Sequence, residues 1–474
     1  TQLISSNGGI QNNLLVAIGS NSSATTEANT TLSLLNGNGQ VGIFSSNGAA
    51  ITNGGTLNAS GNGTIGVITN DGTVNNTGNL NISGGVYTDP SNNKMGTVGI
   101  AVLDSGAGTA SFTSSSGNIQ INVNGQESTG LFTDSGLVDI TGGNIQASDS
   151  AFNLYSKGAT GVIRLSGTTL RTGQRSLLFF SEDGGTFDLT NVNATIAGGA
   201  DSSSRGTAFY YSGNNTPLTK TDLENYFQTT FGGLTGKLTL NMESGSRLFI
   251  VDNIIMNLST AATPLGSLAN GPTVIGSNYK TYMMYKGTLI IDQNVNLDSA
   301  TDPYNTLELA TSHINNTSAT VTGTQTGQIG MAQENGLDTL GASLPRNQVT
   351  LINDAGAFNL SGSNSVGIYA SNGEISNING GNLNLTGNGS IGMYAVNGTK
   401  AINDNTSNIV IGTNGIGIYA EGFKQGSSQA FGNGTLDITN NGNITAQSGS
   451  GAIGIVLNNN STGVRGDTKL DISG

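Results

Sequence analysis

Short runs in which apolar and polar residues alternate recur along the chain. "GNLNISG" (78–84), "GTFDLTN" (185–191), "GKLTLNM" (236–242), "GAFNLSG" (356–362), "GNLNLTG" (381–387) and "GTLDITN" (434–440) place an aliphatic or Phe at alternate positions, with Gly and Asn at their ends. Period-two alternation that short, bounded by turn formers, predicts strands with one buried face. A second pattern, "SVGIYASNGE" (365–374), returns as "SIGMYAVNGT" (390–399) and "GIGIYAEGFK" (415–424). With its Gly as anchor, copies lie at Gly42, Gly66, Gly99, Gly130, Gly330, Gly367, Gly392, Gly417 and Gly454. Looser copies are "AFNLYS" (151–156), "SLLFFS" (176–181), "TAFYYS" (207–212) and "YMMYKG" (282–287). A third, weaker strand follows the turn after the anchor, as in "EISNING" and "AINDNTSN". Turns such as Asn47-Gly48, Asn372-Gly373 and Asn397-Gly398 favour positive φ.

The unit spacing is 24–25 residues with insertions, as from Gly367 to Gly392 to Gly417. Three short strands and three turns in that length cannot bury a core alone. Stacked on their neighbours they make one coil of a parallel β-helix. The predicted fold is therefore all-β, a right-handed parallel β-helix of three-strand coils with an inserted irregular segment that contains a short helix. Blades of a β-propeller need about 40 residues or more, and a sandwich would not repeat in sequence. Residues 1–212 and 351–474 read as coils, the latter set continuing past the last residue. Residues 213–350 read as an irregular segment on or within the β-helix, and hold five of the six Pro. There "TPLTKTDLENYFQTTF" (216–231) predicts a short helix, with Thr221 and Glu224 at capping-box spacing.

Strict alternation in "SVGIYA" assigns Val366, Ile368 and Ala370 to the core, and Gly367 with Tyr369 to the outside. An outward column Tyr369, Tyr394, Tyr419 follows. Phe44, Phe132, Tyr155, Phe180, Tyr210 and Tyr285 take the same place in other copies, and Ile68, Ala101 and Val456 interrupt it. Such a column has two readings. The rings stack on one another for stability, or lie beneath a covering loop. Alternatively, they form a flat amphipathic platform for sugar rings or a protein partner. Tyr369, Tyr394 and Tyr419 are the candidate ligand-binding residues on the second reading.

Composition narrows the choices. Of 474 residues 73 are Gly, none is Cys, one is His, and only 9% are charged, against about a quarter in ordinary globular proteins. With 35% of residues hydrophobic and strictly patterned, the chain is expected to fold rather than stay disordered. A net charge of −13 without any basic run argues against a nucleic-acid partner. No apolar run is long enough to span a bilayer. Thr1 opens without Met or a signal peptide, and "TKLDISG" stops within a strand pattern, so the chain reads as a segment of something longer.

Tempting motifs have plainer explanations. "GNGTIG" (61–66) and "GNGSIG" (387–392) match a dinucleotide fingerprint but lead into strands instead of helices, and read as turns. The Asp-Ser-Gly strings at 104–106 and 134–136 read as repeat turns. His313 alone would have to serve as the base of a nucleophilic triad, and reads as an exposed loop residue. Asp134, Asp139, Asp149, Glu182 and Asp183 are too scattered to assemble a lyase or glycosidase cluster. Enzymatic activity is not expected, nor is any metal or cofactor. "VRGDT" contains Arg465-Gly466-Asp467, a tripeptide of the kind integrins recognise in exposed loops.

The "GIYA" repeats with their Asn-Gly turns, the Gly-x-Leu-x-Ile strands and the Cys-free, Asn/Gly/Ser/Thr-rich composition resemble the passenger domains of large type Va autotransporters, in particular the outer-membrane adhesins of fusobacteria. The resemblance covers the repeats toward both ends; nothing in 213–350 carries it. It implies export to the bacterial cell surface and anchoring through a C-terminal β-barrel absent from this chain, the only expected membrane contact. It also implies attachment to surface glycans or protein receptors on host cells or partner bacteria. A structural stalk whose binding tip lies elsewhere, and a carbohydrate-active β-helix enzyme, are the alternatives. The resemblance rests on scaffold residues, so no binding residue is carried over from it.

Overall fold

A computed structural model describes residues 2–5, 13–35, 38–106, 110–261, 267–310, 313–334, 349–371, 373–396, 399–422, 436–447, 451–458 and 468–472. They divide into two compact units. The first comprises Thr1–Tyr211, Lys220–Ile250 and Pro264–Lys280; the second comprises Ser212–Thr219, Val251–Thr263 and Thr281–Gly474.

In the first unit a coil consists of three strands, for example Val41–Ser46, Ala50–Asn53 and Thr56–Ser60. The next coil is Ile65–Asn70, Thr73–Asn76 and Asn79–Gly84. Each strand pairs in parallel with its counterpart one coil on, Ile43 with Val67, Ile51 with Val74 and Leu57 with Leu80. All six side chains are buried, so like residues stack over like along the core. The second unit repeats the scheme with Val366–Ser371, Gly373–Ile378 and Asn382–Leu385 against Ile391–Val396, Lys400–Asn403 and Asn408–Ile411. Here Ile368 lies over Met393, Ile375 over Ala401 and Leu383 over Ile409, again all buried. Parallel pairing between strands a full coil apart makes each unit a parallel β-helix.

One expected orientation is overturned. Gly367 lies inside, and Val366 is the half-buried outer residue. The ladder joins Val366 to Ile391 and Ile368 to Met393 but passes over the glycines between them. The strand therefore bends at the anchor, and two successive residues, Gly367 and Ile368, turn inward. A Cβ on Gly392 would sit 2.5 Å from the carbonyl oxygen of Gly417 and 2.5 Å from Cγ2 of core residue Ile409. The anchor is thus glycine because the next coil's backbone closes on it. In three coils of the first unit the place is filled by Asn153, Leu178 and Ala208, all buried.

A polar ladder also runs through the interior. In the second unit Asn316, Asn353, Asn377, Asn403 and Asn440 follow one another, each carboxamide donating to the next at 2.8–2.9 Å. In the first unit Thr26, Asn53, Asn76 and Ser114 form the same chain at 2.7–3.0 Å. Most of these amides also donate to a carbonyl in the turn just beyond, as Asn76 does to Gly78 and Asn377 to Gly381. Donor and acceptor are both satisfied without water, as burial requires.

The predicted helix is present as α1 (Lys220–Phe231). It follows a strand stacked on Leu177–Glu182 and precedes Leu238–Met242, which stacks on Val192–Ile196. It therefore occupies the place of a coil's second strand, beside Thr186–Thr190. Its buried face is Leu223, Phe227 and Phe231. The Phe231 ring lies 5.2 Å from both Phe179 and Phe187, and Phe227 lies 5.4 Å from Phe209. The expected capping box does not form. Thr221 falls inside the first turn, and the Glu224 carboxylate accepts the Ala269 amide at 2.8 Å.

Residues 213–350 also hold coil strands. Lys280–Tyr285 pairs with Leu307–Ala310, and Thr288–Ile291 with His313–Thr317. Tyr285, expected outside, is buried along with Tyr282, Met283 and Met284. Four consecutive buried residues mean that both faces of this strand are covered.

Candidate functional site

The three candidate tyrosines come together as expected. Ala332, Tyr369, Tyr394, Tyr419 and Val456 succeed one another in register on the outer face of the second unit. The rings of Tyr369 and Tyr394 are 5.4 Å apart at 62°, and those of Tyr394 and Tyr419 are 5.0 Å apart at 87°. Edge-to-face contact of this kind is the arrangement that ring quadrupoles favour. All three residues are half-buried. Asn458 donates to the Tyr419 hydroxyl at 3.0 Å. Burial, helped by the neighbouring Tyr419 and Glu421, holds the Tyr394 phenol above its ordinary pKa. Because the anchors turn inward, Val366, Ile391 and Ile416 form a second half-buried outer row along the same strands. These two rows are aromatic and aliphatic, without charge.

The first unit carries the equivalent column. Phe132, Tyr155, Phe180 and Tyr210 stand 5.0, 4.9 and 5.4 Å apart in order, all edge-to-face. Phe44, Ile68 and Ala101 precede them in register. The Tyr155 hydroxyl donates to the Glu182 carboxylate, and burial together with that carboxylate pushes its pKa up.

The other candidate residues do not converge. Arg465, Gly466 and Asp467 lie outside the described residues. His313 opens a strand instead of lying in a loop, with its side chain exposed. Both Gly-x-Gly-x-x-Gly strings are turns leading into strands, as expected. Asp104 accepts the Gly106 and Ala110 amides at 2.8 and 2.9 Å, a turn role. The scattered carboxylates are drawn into pairs across coils. Arg164 donates to Asp139 at 3.1 Å and to Asp188 at 2.9 Å, and Lys157 lies 3.8 Å from Asp134. Exposed cross-coil pairs of this kind stabilise stacking by ~1 kcal/mol or less. Among the described residues no group of three or more His, Asp or Glu could hold a metal ion. No described helix is long and apolar enough to cross a membrane.

Sequence reasoning missed the inner Asn ladder. Its signal was visible in the recurrence of Asn two residues after a core aliphatic, as in Ile51-Asn53, Val74-Asn76, Ile314-Asn316 and Leu351-Asn353. No family model matches the sequence, and no curated protein or solved structure matches the chain.

Proposed function

We propose that this protein is the adhesive passenger segment of a bacterial surface autotransporter, binding glycan or protein receptors on partner bacteria or host cells. The reading is supported chiefly by the outward column Tyr369, Tyr394 and Tyr419 beside the row Val366, Ile391 and Ile416. Rigid, half-exposed, amphipathic rings on fixed backbone are the side chains that bind with least loss of entropy. The three tyrosine-bearing strands Val366–Ser371, Ile391–Val396 and Ile416–Glu421 are each paired on both sides, so binding there falls to side chains instead of sheet edges. We read the surface as binding and non-enzymatic, since Asp134 is engaged by Lys157, and Asp139 and Asp188 by Arg164.

The second reading, a stalk, is favoured by the ring contacts themselves, because each tyrosine already meets another ring. Attachment of the folded chain to bacterial and epithelial cells separates the two. Replacing Tyr369, Tyr394 and Tyr419 together by Ser is expected to lower attachment while β-sheet circular dichroism persists. Attachment that is unchanged in the folded variant rejects the platform.

A further inference from the structure

On the outer face of the third sheet of the first unit lies a shallow groove. Its floor is the chain at Ala59, Ile82 and Ile121, whose side chains are buried in the core. One wall is a row in register, Asn58, Asn81, Gln120 and Asn144. The other wall is a parallel row, Ser60, Ser83, Asn122 and Gln146. Successive members of a row are one coil apart, about 4.8 Å. Asn81 donates to Asn58 at 2.8 Å and Asn144 to Gln120 at 3.1 Å, which fixes the first wall. The side chains of Ser83, Asn122 and Gln146 hydrogen-bond no described residue.

The chemistry of the lining selects the occupant. None of these side chains is charged, so nucleic acids and acidic polysaccharides find no cation to pair with. The next member of the second row, Arg171, is held by Glu243 at 3.1 Å. Backbone groups on the floor are engaged by the coils on either side, so an extended peptide has no edge to join. What the groove offers is two rows of carboxamides and hydroxyls, each donor and acceptor at once.

We infer that this groove binds a neutral, extended glycan lying along the rows across four coils. Vicinal hydroxyls need this doubled donor–acceptor complement, and one coil repeat is close to the advance of one sugar unit in an extended chain. The inference takes its biological setting from the adhesive reading above and supplies that reading with a ligand class.

The test is calorimetric titration of the whole chain with linear neutral oligosaccharides of two to six units, from glucan, mannan and galactan, and with oligogalacturonates as the acidic counterpart. Binding of at least one neutral series is expected, tightening with length to about four units, the number of coils in the groove. Asn122→Ala with Gln146→Ala is expected to weaken it roughly tenfold or more. The near-isosteric Asn122→Asp with Gln146→Glu should do the same. Asn384→Ala, a half-buried outward amide of the second unit, should leave it unchanged. No saturable binding of any neutral series, equal binding of the acidic one, or unchanged affinity in the groove variants overturns the inference. Cell attachment is scored separately. If it fails while oligosaccharide binding persists, the groove stands and the adhesive role falls.

Discussion

Removing one rung of the inner ladder tests how the coils are held together. Asn377 is fully buried. Its amide donates to Asn403 Oδ1 at 2.9 Å, to the Gly381 carbonyl at 3.1 Å and to the Asn408 carbonyl at 3.3 Å; it accepts from Asn353 at 2.8 Å. Asn377→Ala deletes these bonds and leaves acceptors facing a dry interior. At about 1 kcal/mol net per bond plus an unsatisfied-group penalty of similar size, the loss comes to about 3–5 kcal/mol. Asn384→Ala, at a half-buried outward site on the neighbouring strand with one long bond to Asn359 at 3.3 Å, is expected to cost less than about 1 kcal/mol.

A stack of coils unfolds in parts, so urea denaturation is to be read with amide exchange over Gly373–Ile378 and Lys400–Asn403. If the two variants melt and exchange alike, the ladder contributes nothing and the reasoning fails. Asn377→Asp adds a pH signature. The new carboxyl would face three acceptors, which favours its protonated form and raises its folded pKa above the unfolded ~3.9. Its contribution is then fully present below that value and lost as pH rises through the folded pKa.

Three further outcomes follow from the packing. Gly392→Ala places a methyl 2.5 Å from the Gly417 carbonyl; because backbone must shift, the melting midpoint should fall by the equivalent of about 1–3 kcal/mol. Phe231→Ala removes a ring that contacts Phe179 and Phe187, at a cost of about 3–5 kcal/mol, and accelerated exchange in Lys220–Phe231 would locate the damage. Arg164→Gln breaks two exposed ion pairs, so denaturation should shift by about 1 kcal/mol at most and the difference should shrink in high salt.

Repetition made the architecture legible without tertiary information. A unit of about 25 residues, too short to enclose a core by itself, forces coil to stack on coil, and this follows from spacing and periodicity alone. The helix at Lys220–Phe231 was expected from the capping-box spacing of Thr221 and Glu224; the helix is there, although Thr221 falls inside its first turn and Glu224 holds the Ala269 amide instead. The outward Tyr369, Tyr394 and Tyr419 were found because alternation holds on the C-terminal side of the anchor glycine.

On its N-terminal side alternation failed. Strict period two put Val366 inside and Gly367 outside, and the strand reverses them because it bends at the corner. No sequence rule marks that bend, since the crowding that demands glycine comes from the carbonyl of the next coil. The inner ladder was hidden for a similar reason. An Asn reads as a turn or surface residue until its counterpart, some 24–37 residues away, supplies the partner that makes burial tolerable. The sequence by itself determined the repeat, the strands and the stacking. Only the tertiary structure decided which residues face inward at the corners, and which polar groups meet across coils, because both depend on contacts one full coil apart.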